Sequence, residues 1–189
     1  RALVVQEVKL IYEISKLLLR ILPNYLLVVR KYPLINSSIT EYDVLLECQN
    51  VIFDNEIHYL EKENDIHQDF NKYLCISNSK GFIHCGTTLG FEACYLKAPS
   101  IFVCYENTLK NNNFLDLNGF MNQQQNVKYL KKETAPNFVH NLKDLSQVLV
   151  DCAINDGKKY MVYNQVVSRN VLLNDIETIS SNMVNSFEE

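Results

Sequence analysis

The sequence predicts an α/β fold: a parallel, doubly wound sheet flanked by helices, with a long helix at the C-terminal end. Three observations point there. Short apolar runs that read as strands alternate with stretches whose apolar residues recur at three- and four-residue steps. The segment from Gly81 to Cys104 holds a complete strand, turn, helix and strand with very short connections. The chain has 189 residues, 47% of them hydrophobic, which suits one domain that buries roughly 70% of the surface its unfolded form exposes.

Taken in order, the elements follow from spacing and punctuation. Leu3, Val4, Val8, Ile11, Tyr12, Ile14, Leu18, Leu19 and Leu22 mark an amphipathic helix that Pro23 and Asn24 stop. Tyr25 to Pro33 starts as a β-branched apolar run and ends in Arg30, Lys31 and proline, a buried parallel strand feeding a loop. Ile35 to Asp43 is loop, or a short helix follows it, and Val51 to Asp54 is a second strand. Ile66, Phe70, Tyr73 and Leu74 then mark one face of a helix. GFIHC (strand), GTT (turn), LGFEACYLK (helix) and SIFVC (strand) come next. Beyond Tyr105 a long Asn- and Gln-rich connection leads to a short edge strand at Val127 to Leu130. A helix over Leu142 to Ala153 and a long amphipathic helix over Lys158 to Met183 complete the chain.

Composition excludes several classes. The 18 Lys and Arg are scattered among 22 Asp and Glu for a net charge of -4, so no basic stripe offers a footprint for nucleic acid. The six cysteines never form C-x-x-C and mostly sit in apolar runs, which fits buried thiols in a reducing, cytoplasmic setting. A metal site from Cys75, His84, Cys85 and Cys94 lacks zinc-type spacing, and no metal or cofactor is expected. No run reaches the roughly 20 apolar residues of a membrane span, although peripheral contact with a membrane surface stays open. The chain opens at Arg1 already inside a helical pattern, which suits a piece of a longer protein.

In an open parallel sheet, ligands bind outside the carboxyl ends of the strands. Three features converge on that edge. Gly86 permits a sharp turn, and the amides and hydroxyls of Thr87 and Thr88 at a helix start form an anion site. Arg30 and Lys31 leave another strand at the same edge as countercharge for a diphosphate, unless they are simply a solvated strand end. Glu92 is the third. A capping box would need Ser or Thr at position 89, which is Leu. The surrounding Leu89, Phe91, Ala93, Cys94, Tyr95 and Leu96 suggest a largely buried helix, where an unpaired carboxylate is costly. The vicinal hydroxyls of a ribose would satisfy it, and simple dipole stabilisation of an exposed Glu is the other reading.

His84-Cys85-Gly86, with Glu92 eight positions after the His and Pro99 seven after the Glu, resembles the donor-binding motif of GT-B nucleotide-sugar glycosyltransferases. The strand ending in Arg30 to Pro33 and the Gly-Thr turn before a Glu-Ala helix are similar to bacterial surface and capsular polysaccharide transferases and the related sugar-nucleotide 2-epimerases. The likeness covers about residues 1 to 105, with Lys97 standing where a glycine is usual. It implies a Rossmann-like domain that binds a sugar nucleotide, typically UDP-linked, without a metal. By the same resemblance His84 would contact the diphosphate or donor sugar, the Gly86-Thr87-Thr88 turn would hold phosphate, and Glu92 would bind ribose.

The expectation is therefore one domain over residues 1–189, the C-terminal donor-binding half of a two-domain transferase of surface polysaccharide biosynthesis. An acceptor-binding N-terminal domain would carry the catalytic base, which is not identified in this chain. A 2-epimerase-like domain and a non-catalytic, nucleotide-binding Rossmann-like domain are the alternatives.

Overall fold

A computed structural model describes residues 2–30, 40–54, 66–87, 89–103, 137–161 and 165. Within them, helices alternate with short parallel strands: α1 (Ala2–Ile21), β1 (Leu27–Val29), β2 (Val51–Phe53), α2 (Ile66–Ser77), β3 (Phe82–His84), α3 (Leu89–Tyr95), β4 (Ser100–Val103), β5 (Phe138–Val139) and α4 (Leu142–Asn155). A 3₁₀ helix, Thr40–Glu47, precedes β2 and another, Lys158–Tyr160, follows α4. The α/β class is as expected. The strands described form two small sheets, β1-β2 and β3-β4-β5, every pair parallel.

α1 joins the two sheets because it buries more than one stripe. Leu10, Ile14, Leu17 and Leu18 pack with Ile101, Val103, Val139, Leu145 and Leu149 in the main core. Val8, a step round the helix, joins Val29, Tyr42 and Leu45 in a second core under β1 and the first 3₁₀ helix. Ile101, Phe102 and Leu145 are fully buried, worth roughly 1.5–3 kcal/mol each in transfer free energy. Polar groups tie these layers together. Ser15 Oγ donates to Asn50 Oδ1 at 2.6 Å, while Asn50 Nδ2 donates to the Ser15 carbonyl at 3.0 Å, locking α1 to the turn before β2. Asn137 Nδ2 donates to the carbonyls of Ser100 and Tyr160, joining the starts of β4 and β5 to the turn after α4.

α4 starts where Asn141 Oδ1 accepts from the Asp144 amide at 2.9 Å, a regular N-cap. α2 departs from expectation: Tyr73 and Leu74, placed on its packed face by spacing, are exposed, and among its described side chains Ile76 reaches the core with Ala93 and Ala98. β5 falls in a stretch to which the sequence pattern assigns no element. The edge strand expected at Val127 to Leu130 lies outside the described residues, as does most of the C-terminal helix. Of that helix, Lys158–Tyr160 is a 3₁₀ turn, and Met161 and Gln165 are helical. Among the described residues no helix is long and apolar enough to cross a membrane.

Candidate functional site

The centre of the candidate site is the β3-turn-α3 unit. β3 ends at His84, Gly86 turns the chain at φ 86°, in the left-handed region open to glycine, and α3 begins at Leu89. Thr87 is exposed, and its carbonyl accepts from the Gly90 amide at 3.0 Å to start the first turn. Thr88 lies outside the described residues, as does Lys31. α3 has 7 residues, so its dipole is small and the amides at its start act mainly as individual donors.

His84 is held from several sides. The Gly86 amide donates to Nδ1 at 3.2 Å, so Nδ1 is the acceptor and the ring proton belongs on Nε2. Nε2 lies 2.7 Å from Ser100 Oγ, which in turn lies 3.3 Å from the Gly90 carbonyl as a donor to it. This relay runs from the turn amide through the imidazole and hydroxyl back to the helix. Phe102 closes the ring in at a centroid distance of 4.0 Å. The side chain is buried, and burial pushes its pKa down to about 3, so the imidazole is neutral. Its ring nitrogens are spent on the turn and on β4, so it positions the Gly86 turn. Cys94 is equally inert: it sits under the same carbonyl, and burial raises its thiol pKa to about 12.

Glu92 lies one turn into α3. Its side chain is 41% exposed, yet Oε2 is buried without a hydrogen-bond partner, 3.7 Å from the Lys72 ammonium. Lys72 also stands over the ring of Tyr73, 4.2 Å from its centroid. The carboxylate borders an open cavity of about 410 Å³ lined by Tyr73, Phe91, Tyr95 and Leu96. The expectation of a helix buried on most faces needs correction. Gly90, Ala93 and Cys94 are buried, but Tyr95, expected in core or interface, is 72% exposed. Lys72 was not singled out by sequence reasoning; its i to i+1 neighbourhood with Tyr73 carries no signal, and its partner is on another helix.

Arg30 follows β1 and pairs with Asp54, which follows β2. In the sequence Asp54 is only the end of the second strand, with no local sign of a partner. Each strand end is thus occupied by charge, at the edge where parallel sheets take ligands. Arg30 and Asp54 belong to one sheet, and His84, Gly86, Thr87 and Glu92 gather at the other. Among the described residues, no three His, Cys, Asp or Glu side chains group so as to hold a metal ion. Comparison with protein-family models, curated proteins and solved structures finds no match.

Proposed function

We propose that this chain binds a sugar-nucleotide donor, UDP-linked, as the donor-binding half of a metal-independent GT-B glycosyltransferase of surface polysaccharide biosynthesis. In this reading the two small sheets belong to one doubly wound, Rossmann-like sheet, closed by a long helix that follows the Lys158–Tyr160 turn, in a cytoplasmic enzyme. A second domain supplies the acceptor site and the base. The observation that carries the reading is the β3-turn-α3 unit: a left-handed Gly86 at a strand end, followed in the first turn of α3 by a carboxylate whose buried oxygen has no hydrogen-bond partner and lies 3.7 Å from the Lys72 ammonium.

The chemistry assigned to these residues is electrostatic. When the bond between the sugar C1 and the diphosphate oxygen breaks, that oxygen keeps the electron pair, and donors aimed at the growing charge lower the barrier. The Thr87 and Thr88 turn offers amide and hydroxyl donors, and Arg30 and Lys31 offer cationic ones. Because α3 is short, the cationic side chains carry the larger share. The acceptor hydroxyl forms the new bond to C1 and loses its proton to the base of the other domain. Glu92 orients the ribose, while His84 fixes the turn without touching the donor.

The inward hydrogen bonds of His84 favour a second reading, a Rossmann-like domain in which this motif only holds the fold. Calorimetric titration with UDP and with uridine separates the two. The donor reading expects UDP to bind and uridine, lacking the diphosphate, to bind much more weakly. Absence of binding by UDP and other nucleoside diphosphates leaves the fold-holding reading.

A further inference from the structure

β1 and β2 deliver an arginine and an aspartate to the same edge in register. Val29 pairs with Phe53, so Arg30 and Asp54 are the next residues on neighbouring parallel strands. The Asp54 amide donates to the Val29 carbonyl at 2.9 Å, which extends the ladder one step and fixes the Asp54 backbone beside Arg30. Arg30 Nη2 then donates to Asp54 Oδ2. The two side chains are 17% and 13% exposed, so this pair is largely withdrawn from water and far less screened than a surface ion pair.

From this juxtaposition we propose that Asp54 is a positioning residue of the ligand site. It holds the Arg30 guanidinium at the strand ends in the orientation that meets a diphosphate. The inference rests on the sugar-nucleotide reading above. A guanidinium recognises phosphate through a planar fork of donors, so its direction matters as much as its charge. Left alone, the arginine side chain must surrender rotamer freedom each time ligand binds; held by Asp54, it has already done so. Simple charge counting gives the opposite sign, because a carboxylate beside an anion site repels the anion. Removing Asp54 therefore distinguishes orientation from mere charge.

The test is calorimetric titration of the full chain with UDP for wild type, Asp54→Ala, Asp54→Asn, Arg30→Ala and the Arg30→Ala/Asp54→Ala double variant, with thermal unfolding alongside. The positioning role expects Asp54→Ala to bind UDP roughly tenfold more weakly, the scale of one charge-assisted hydrogen bond. It expects the double variant to bind no more weakly than Arg30→Ala, since the two act as a unit. Asp54→Asn, which keeps an acceptor oxygen, should fall between wild type and Asp54→Ala. If wild type binds UDP and Asp54→Ala binds it equally or more tightly, the positioning role is overturned while the nucleotide reading stands. Should Asp54→Ala not fold, Asp54→Asn decides, and wild-type affinity in it overturns the role. If wild type takes up neither UDP nor another nucleoside diphosphate, the nucleotide reading fails and the role of Asp54 goes with it.

Discussion

The imidazole of His84 lies against the backbone of Gly90 so closely that a Cβ at residue 90 would stand 2.2 Å from Cε1 and 2.5 Å from Nδ1. The ring cannot retreat, because Ser100 and the Gly86 amide hold its two nitrogens. Alanine in place of a helical glycine would ordinarily stabilise by about 1 kcal/mol. Here overlap with a fixed, buried ring outweighs that gain, and Gly90→Ala is expected to lose about 2–3 kcal/mol in urea unfolding.

Acid should loosen the same point. His84 is neutral when folded, with its pKa lowered to about 3, against 6.5 for the free side chain. The unfolded chain therefore binds the extra proton, and stability is full above pH 6.5 and declines as pH falls toward 3. The slope is about 1.4 kcal/mol per pH unit for one proton. Glu7 acts in the opposite direction, since burial raises its pKa and the folded state takes up its proton first. Comparing wild type with His84→Asn cancels that contribution. Urea midpoints between pH 7 and 5 should fall more steeply for wild type than for the variant, and parallel profiles would contradict the buried neutral ring.

Lys97 ends α3 at φ 62°, a left-handed conformation that a lysine adopts only at a cost. The hydrogen bonds from the Lys97 amide to the Cys94 carbonyl and from Ala98 to Ala93 form a Schellman motif, in which this position ordinarily carries glycine. Lys97→Gly should therefore stabilise the fold by about 1 kcal/mol, read as a higher melting temperature with unchanged ligand affinity.

What the sequence disclosed, and what it hid, follows the range of the forces involved. Strands β1 to β4 and helices α1 and α4 were legible because their apolar periodicity and their Pro, Gly and Asn boundaries are local signals. β5 was not, because Phe138–Val139 is a two-residue strand defined only by pairing with β4. Spacing located α2 but chose the wrong face at Tyr73 and Leu74, since a short helix with polar neighbours leaves its orientation to tertiary packing. At the site, the Gly86 turn and the position of Glu92 could be read directly. The seclusion of His84 could not: it depends on Gly90 lacking a side chain and on Ser100 arriving from the next strand. The Arg30–Asp54 pair was hidden for the same reason, its members being 24 residues apart and adjacent only through the β1-β2 register.

The proposed contact of Glu92 with the ribose of a bound nucleotide is tested most directly by comparing UDP with its 2′-deoxy analogue on wild type and Glu92→Ala. A carboxylate accepting from the ribose hydroxyl predicts that wild type prefers UDP by roughly tenfold and that Glu92→Ala loses most of this preference, with weaker binding of UDP itself. Equal affinity of wild type for both ligands, or a preference that survives in Glu92→Ala, would contradict the account.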